Sequence, residues 1–99
     1  MEYLAVEWKH DLPDMPIEMY SELDGLRMEV RKVEVFKGGR LGYAPAASAA
    51  HSEVPTSLGI EAVPSLREIA SQSGFKPRVS NAAEFEKMWK LATQKGRIA

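Results

Sequence analysis

Apolar and polar residues alternate with period two through the first part of the chain and with helical spacing near its end. In residues 3–9, Leu4, Val6 and Trp8 share one side and Glu7 and Lys9 the other, with Tyr3 and Ala5 between, which predicts a strand. His10 to Pro16 holds two prolines and two aspartates and reads as a loop. A second strand is predicted over 17–23, with Ile17, Met19 and Leu23 on one face and Glu18, Tyr20 and Glu22 on the other. Asp24-Gly25 then reads as a two-residue hairpin turn. The third strand, 26–37, changes phase: Leu26, Met28 and Val30 are apolar at even positions, Val33 and Val35 at odd ones. A strand cannot exchange its buried face without an inserted residue, so a β-bulge is expected near Arg31-Lys32. Gly38-Gly39 turns the chain into a fourth strand over 40–44.

Residues 45–62 are rich in Ala, Ser and Pro, carry little large apolar material and read as a long loop. A short helix over 65–72 opens on the capping box Ser65-Leu66-Arg67-Glu68 and stops before Gly74. Phe75 to Val79 reads as an extended connector, because Pro77 turns Lys76 away from helix. A longer helix, 82–94, is capped by Ser80 or Asn81 and carries the stripe Phe85, Met88, Trp89, Ala92. The expected architecture is a single α+β domain over 1–99: a four-stranded antiparallel β-meander with two C-terminal helices packed on one face.

Composition narrows the chemistry. With 44% hydrophobic and 27% charged residues the chain is globular in type, and zero cysteines remove disulfides, thiolate metal sites and a cysteine nucleophile. No stretch approaches the roughly 18 apolar residues of a membrane span. The acidic start, whose apolar run breaks at Glu7, is no secretory signal, so cytoplasm is the expected compartment. Thirteen bases against fourteen acids give a net charge of −1 and no global field toward nucleic acid.

Several strings in order carry a resemblance: Trp8-Lys9-His10, Asp14-Met15-Pro16, Tyr20-Ser21-Glu22-Leu23-Asp24, Glu29-Val30-Arg31-Lys32-Val33-Glu34-Val35-Phe36, Gly42-Tyr43-Ala44, and Val63 through Ala70, followed by Phe85 and Trp89. Together they resemble a family of small, single-domain, functionally uncharacterised bacterial proteins, from about Tyr3 to Ala92. Met28 stands where a tryptophan is expected and Gly38-Gly39 where Asp-Gly is expected. The resemblance implies no catalytic residues.

Three charged clusters are candidates for chemistry. From Glu7 to Asp24 there are six acids and one base, −5, with His10 and Asp14 as conceivable cation ligands. No zinc or EF-hand spacing is present, so a solvated strand face is the stronger reading and no metal is assigned. Arg27, Arg31, Lys32, Lys37 and Arg40 against Glu29 and Glu34 give +3, readable as cross-strand pairing of Glu18 and Glu22 with Arg27 and Arg31, or as an anion site at the bulge. Lys76 to Arg97 carries +4, including Lys87, Lys90 and Lys95, but its aromatics Phe85 and Trp89 lie on the stripe to be buried, which argues against nucleic acid. No nucleophile elbow, phosphate loop or cofactor motif is present.

The leading expectation is a non-catalytic protein-binding module of immunity or accessory type, its partner reaching the sheet's outer face and steered by segregated charge. His10, Asp14, Tyr20, Glu22, Arg31 and Lys32 form its candidate polar surface site. The rival is a small-ligand or enzymatic site between the long loop and the sheet edge, built from His10, Asp14, Tyr20, Arg31 and His51. A third reading is weak nucleic-acid binding by the basic helix. No cofactor is implied.

Overall fold

The computed structural model describes residues 1–45 and 56–95, without the side chain of Lys95. Along the chain run β1 (Glu2–Trp8), β2 (Glu18–Leu23), β3 (Glu29–Val35), β4 (Leu41–Ala44), α1 (Leu66–Ala70), β5 (Phe75–Val79) and α2 (Ala82–Lys95). The first four strands form the expected antiparallel meander. The sheet has five strands, however, in the order β4-β3-β2-β1-β5, all antiparallel.

The segment expected to be a connector is the fifth strand. Hydrogen bonds from Ser80 N to Tyr3 O and from Lys9 N to Gly74 O put the odd residues of β1 in the hydrogen-bonded pairs with β5. Pro77 faces Val6 in a pair of the other kind, so its nitrogen points away from β1 and no ladder bond is lost. A proline there also blunts an otherwise open edge.

The helices lie on opposite faces of the sheet, not on one. Cross-strand partners share a face, so Tyr3, Ala5, Tyr20, Glu22, Arg31, Val33, Leu41 and Tyr43 lie together, and Phe85 and Ala92 of α2 close over them. Leu4, Val6, Met19, Leu23 and Phe75 lie on the other side with Leu66 and Ile69 of α1. β1 and β2 carry apolar residues at both parities, and the alternation seen in sequence recorded only one of the two buried faces. Among the described residues, helices pack on both faces of the sheet, α1 covering only part of its own.

The turn after β2 also differs. Gly25 takes no left-handed conformation; Arg27 does, at φ 61°. The Asp24 carboxylate accepts from Leu26 N (2.8 Å) and Met28 N (3.0 Å), so the loop runs on to Met28 and β3 begins at Glu29. The bulge falls at Val30, one residue before the expected place, because Leu23 faces Glu29 while Glu22 faces Arg31. The Gly38-Gly39 turn is present, both glycines at positive φ (84° and 83°). Gly74 is needed for another reason too: at φ 90°, a Cβ would lie 2.8 Å from the Lys9 carbonyl oxygen.

Both helix starts follow the sequence. Ser65 Oγ accepts from Glu68 N at 3.2 Å, and Asn81, the second of the two candidate caps, accepts from Glu84 N at 2.8 Å. The Ser80 hydroxyl donates to the Glu84 carboxylate. In the long loop, 46–55 lie outside the described residues, while 56–62 form no regular element.

Arg27 clasps the run into α1. Its guanidinium donates to Val63 O (3.0 Å), Pro64 O (2.8 Å) and Glu2 (2.8 Å), and its carbonyl accepts from Val63 N (2.8 Å). These bonds offset the cost of a left-handed arginine. Arg27→Ala loses the clasp and keeps the strain; Arg27→Gly loses the clasp and removes it. In urea titrations, both variants are expected to be less stable than the parent, with glycine the better by about 1 kcal/mol.

Candidate functional site

The candidate residues fall in different parts of the fold. Glu22 and Arg31 meet under α2. Glu22 is buried, and Arg31 donates to both its oxygens, at 2.7 and 3.0 Å, from the neighbouring strand. The Tyr3 hydroxyl donates to the same carboxylate at 2.8 Å, and Glu86 of α2 pairs with Arg31 from above. The guanidinium also lies 4.9 Å from the ring centre of Phe85 and 5.0 Å from that of Trp89. Arg31 holds the Glu22 carboxyl below its ordinary range against the opposing effect of burial, with Tyr3 assisting. Its hydrogen bond to Glu22 raises the Tyr3 phenol. Every strong group here is engaged by another, so the arrangement is a clasp between sheet and helix. The expected cross-strand pairing therefore holds for Glu22 with Arg31, while Arg27 pairs with Glu2. The solvated-face reading fails for Glu22.

Tyr20 lies on the same face and is buried in the core beneath α2; burial raises its phenol. Nearby, Arg78 of β5 makes two 2.7 Å bonds to Glu84 at the start of α2. Arg78, and then Ser80, bring Glu84 down to about 2. A carboxylate depressed on folding contributes stability above its unfolded pKa and loses that contribution as pH falls through the folded value. Between pH about 4.5 and about 2, acid-induced loss of stability is therefore expected to be shallower in Glu84→Gln than in the parent, as measured by thermal melts across that range.

Lys32 is on the opposite face. It sits 3.2 Å from Glu29 and 3.9 Å from Glu34, and donates to Ser57 O at 3.0 Å. Burial raises the Glu34 carboxyl, and Thr56 donates to it at 3.2 Å. This cluster fastens residues 56–59 to β3.

His10 and Asp14 belong to the β1–β2 loop, at the end of the sheet shared with the Gly38-Gly39 turn. Leu12 N donates to His10 Nδ1 at 2.9 Å, so the ring proton is on Nε2, which donates to Pro16 O at 2.8 Å. His10 thus organises its loop. Its ring is 4.2 Å from that of Trp8, which stacks on Phe75 at 5.0 Å. Glu7, Trp8, Lys9, His10, Asp11, Ile17 and Glu18 surround an open concavity of about 770 Å³. Asp14 is exposed in the same loop. Among the described residues, Glu7, Asp11, Asp14 and Glu18 have no ion-pair partner, and no three groups are placed to hold a metal.

Of the six candidates, then, only Glu22 and Arg31 touch. Tyr20 shares their face, Lys32 is on the other, and His10 with Asp14 is at the sheet's end. The rival site built from His10, Asp14, Tyr20 and Arg31 is not assembled, and His51 lies outside the described residues. Sequence reasoning passed over Tyr3 and Glu86, which complete the clasp, and the pair Glu7 and Glu18, directly opposed across β1 and β2. The hairpin register held the signal for that pair. On α2, Lys87 and Lys90 are exposed, while Phe85 is buried and Trp89 half-buried, so no open aromatic accompanies the bases.

No helix among the described residues is long and apolar enough to cross a membrane. Comparison with curated proteins and with solved structures returned no match. A family model described as a domain of unknown function, DUF6881, matches residues 2–94. Spanning nearly the whole sheet-and-helix unit, that match makes the chain a member of the DUF6881 family.

Proposed function

We propose that the chain is a non-catalytic protein-binding module, of accessory or immunity type in a bacterial cytoplasm, and that it receives a basic segment of its partner at the β1–β2 end. The observation that carries this reading is the opposition of Glu7 and Glu18 across neighbouring strands on the rim of the concavity. Like charges placed directly opposite destabilise a sheet. Lys76 stands across from Glu7 on the other side, yet forms no ion pair with it among the described residues. Local rules are typically broken where function demands it. A lysine or arginine seated between the two carboxylates removes the conflict.

The reading is tested by titrating the protein with a lysine- and arginine-rich peptide of about twelve residues at two salt concentrations. Glu7→Gln/Glu18→Gln is expected to weaken binding about tenfold while raising the protein's own stability by roughly 0.2–1 kcal/mol. Glu61→Gln/Glu68→Gln makes the same change in net charge elsewhere and is expected to leave affinity within about twofold. Equal losses in both double variants would reduce the effect to overall charge and overturn the proposal.

A further inference from the structure

The face beneath α1 is thinly filled. Its core has three buried apolar side chains, Leu4, Val6 and Leu23, against seven buried residues in the core that α2 shares with the other face. Around those three, Met19, Val63, Leu66, Ile69 and Phe75 remain only partly buried. A helix of five residues cannot cover the width of β1 and β2, and a cavity of about 230 Å³ opens between it and the sheet. The walls are apolar: Leu4, Val6, Met19, Val63, Ile69 and Phe75.

One end of the cavity is polar. Ser21 is buried, and its hydroxyl donates to Glu29 Oε2 at 3.1 Å, so it turns only lone pairs outward. Glu29, with its side chain 9% exposed, accepts from Gly59 N at 2.7 Å and lies 3.2 Å from Lys32 Nζ, both through Oε1. A carboxylate has about four acceptor positions, so Oε2 keeps capacity beyond the serine bond. Gln72 stands at the rim. The inner pole therefore consists of acceptors without a free proton, in surroundings where two acids, Glu29 and Glu34, face one base, Lys32.

The geometry points to a ligand site for a small amphipathic amine: a compact alkyl or aryl body against the apolar walls, and an ammonium donating to Ser21 Oγ and Glu29 Oε2. An acceptor-only pole selects donors and rejects carboxylates of the same shape. The site is separate from the acidic concavity and independent of the protein-binding reading.

Benzylamine and phenylacetate, similar in size and opposite in charge, are the probes, followed by methyl resonances in NMR titrations of the whole chain. Benzylamine is expected to shift the methyl groups of Leu4, Met19 and Ile69 saturably, and phenylacetate to bind at least tenfold more weakly. Ile69→Trp, which puts a larger side chain into the wall of the cavity, is expected to abolish the shifts, and Ser21→Val to weaken benzylamine about tenfold. Should Ile69→Trp fail to fold, Ser21→Val carries the comparison. Equal shifts from both probes, shifts confined to Trp8 and its neighbours, or no shift at millimolar benzylamine would each overturn the proposal.

Discussion

Arg31→Met is expected to destabilise the protein by about 3–5 kcal/mol, because it leaves the Glu22 carboxylate buried without its counter-charge. Methionine keeps much of the length and can still pack beside Phe85 and Trp89, so the loss reports chiefly on the charge. Its pH dependence identifies the cause. In the parent, Arg31 holds the Glu22 carboxyl below its ordinary range, so its contribution is present above pH about 4.5 and is lost as pH falls through the folded pKa. Without Arg31, burial dominates and the folded pKa rises above the unfolded one, so the deficit shrinks as pH falls through that raised value. Calorimetry should find the gap between parent and variant narrowing on acidification. Glu22→Gln added to Arg31→Met should restore a large part of the loss at neutral pH. Glu86→Gln removes only the exposed arm of the network and should cost less than about 1 kcal/mol. A neutral-pH loss as small for Arg31→Met as for Glu86→Gln would mean the clasp does not hold α2 to the sheet.

The second large effect is expected at Phe85. Its ring is 1% exposed and meets Tyr3 at 5.7 Å and Trp89 at 6.2 Å between ring centres. Phe85→Ala should cost about 3–5 kcal/mol, a large share of what a domain of this size possesses. Trp89 is the larger ring but only half-buried, and it meets Tyr43 in a T-shaped pair with ring centres 5.3 Å apart. Trp89→Ala should therefore cost less than Phe85→Ala in matched denaturant titrations. The reverse order would mean that α2 is rotated about its axis relative to this account.

The stripe that makes Phe85 a core residue is plain in the sequence, because helical spacing names the buried face directly. Strand parity is less informative when both faces are buried. In β1, Leu4, Val6 and Trp8 announce one face, but Tyr3 and Ala5 announce the other only once a second helix is known to cover it. That is why the helices were expected on one side. Pro77 misled for a related reason. A proline removes a donor only on the side where its nitrogen points, and whether that side faces a neighbour depends on register. The bulge was legible from the phase change between Val30 and Val33, and its position was one residue off, since phase alone does not say where the extra residue sits.

The candidate site was harder to read, because charge counted along the chain mixes residues that the sheet separates. Of the six acids between Glu7 and Asp24, Glu22 is neutralised by Arg31 and Asp24 is used inside its turn. Four remain at the β1–β2 end. At the other pole, Arg78 is held by Glu84, and Arg97 lies outside the described residues. Charge segregation thus survives as a smaller and more local feature, whose sharpest element is the register pair Glu7 and Glu18.

The two tryptophans provide natural reporters, Trp8 on the acidic concavity and Trp89 beneath α2. Their indole N–H resonances can be followed while a basic peptide is titrated into the protein. Seating of a basic segment at Glu7 and Glu18 predicts a saturable, salt-sensitive shift at Trp8, with Trp89 unmoved, and loss of that shift in Glu7→Gln/Glu18→Gln. A shift at Trp89 with Trp8 unmoved would contradict it.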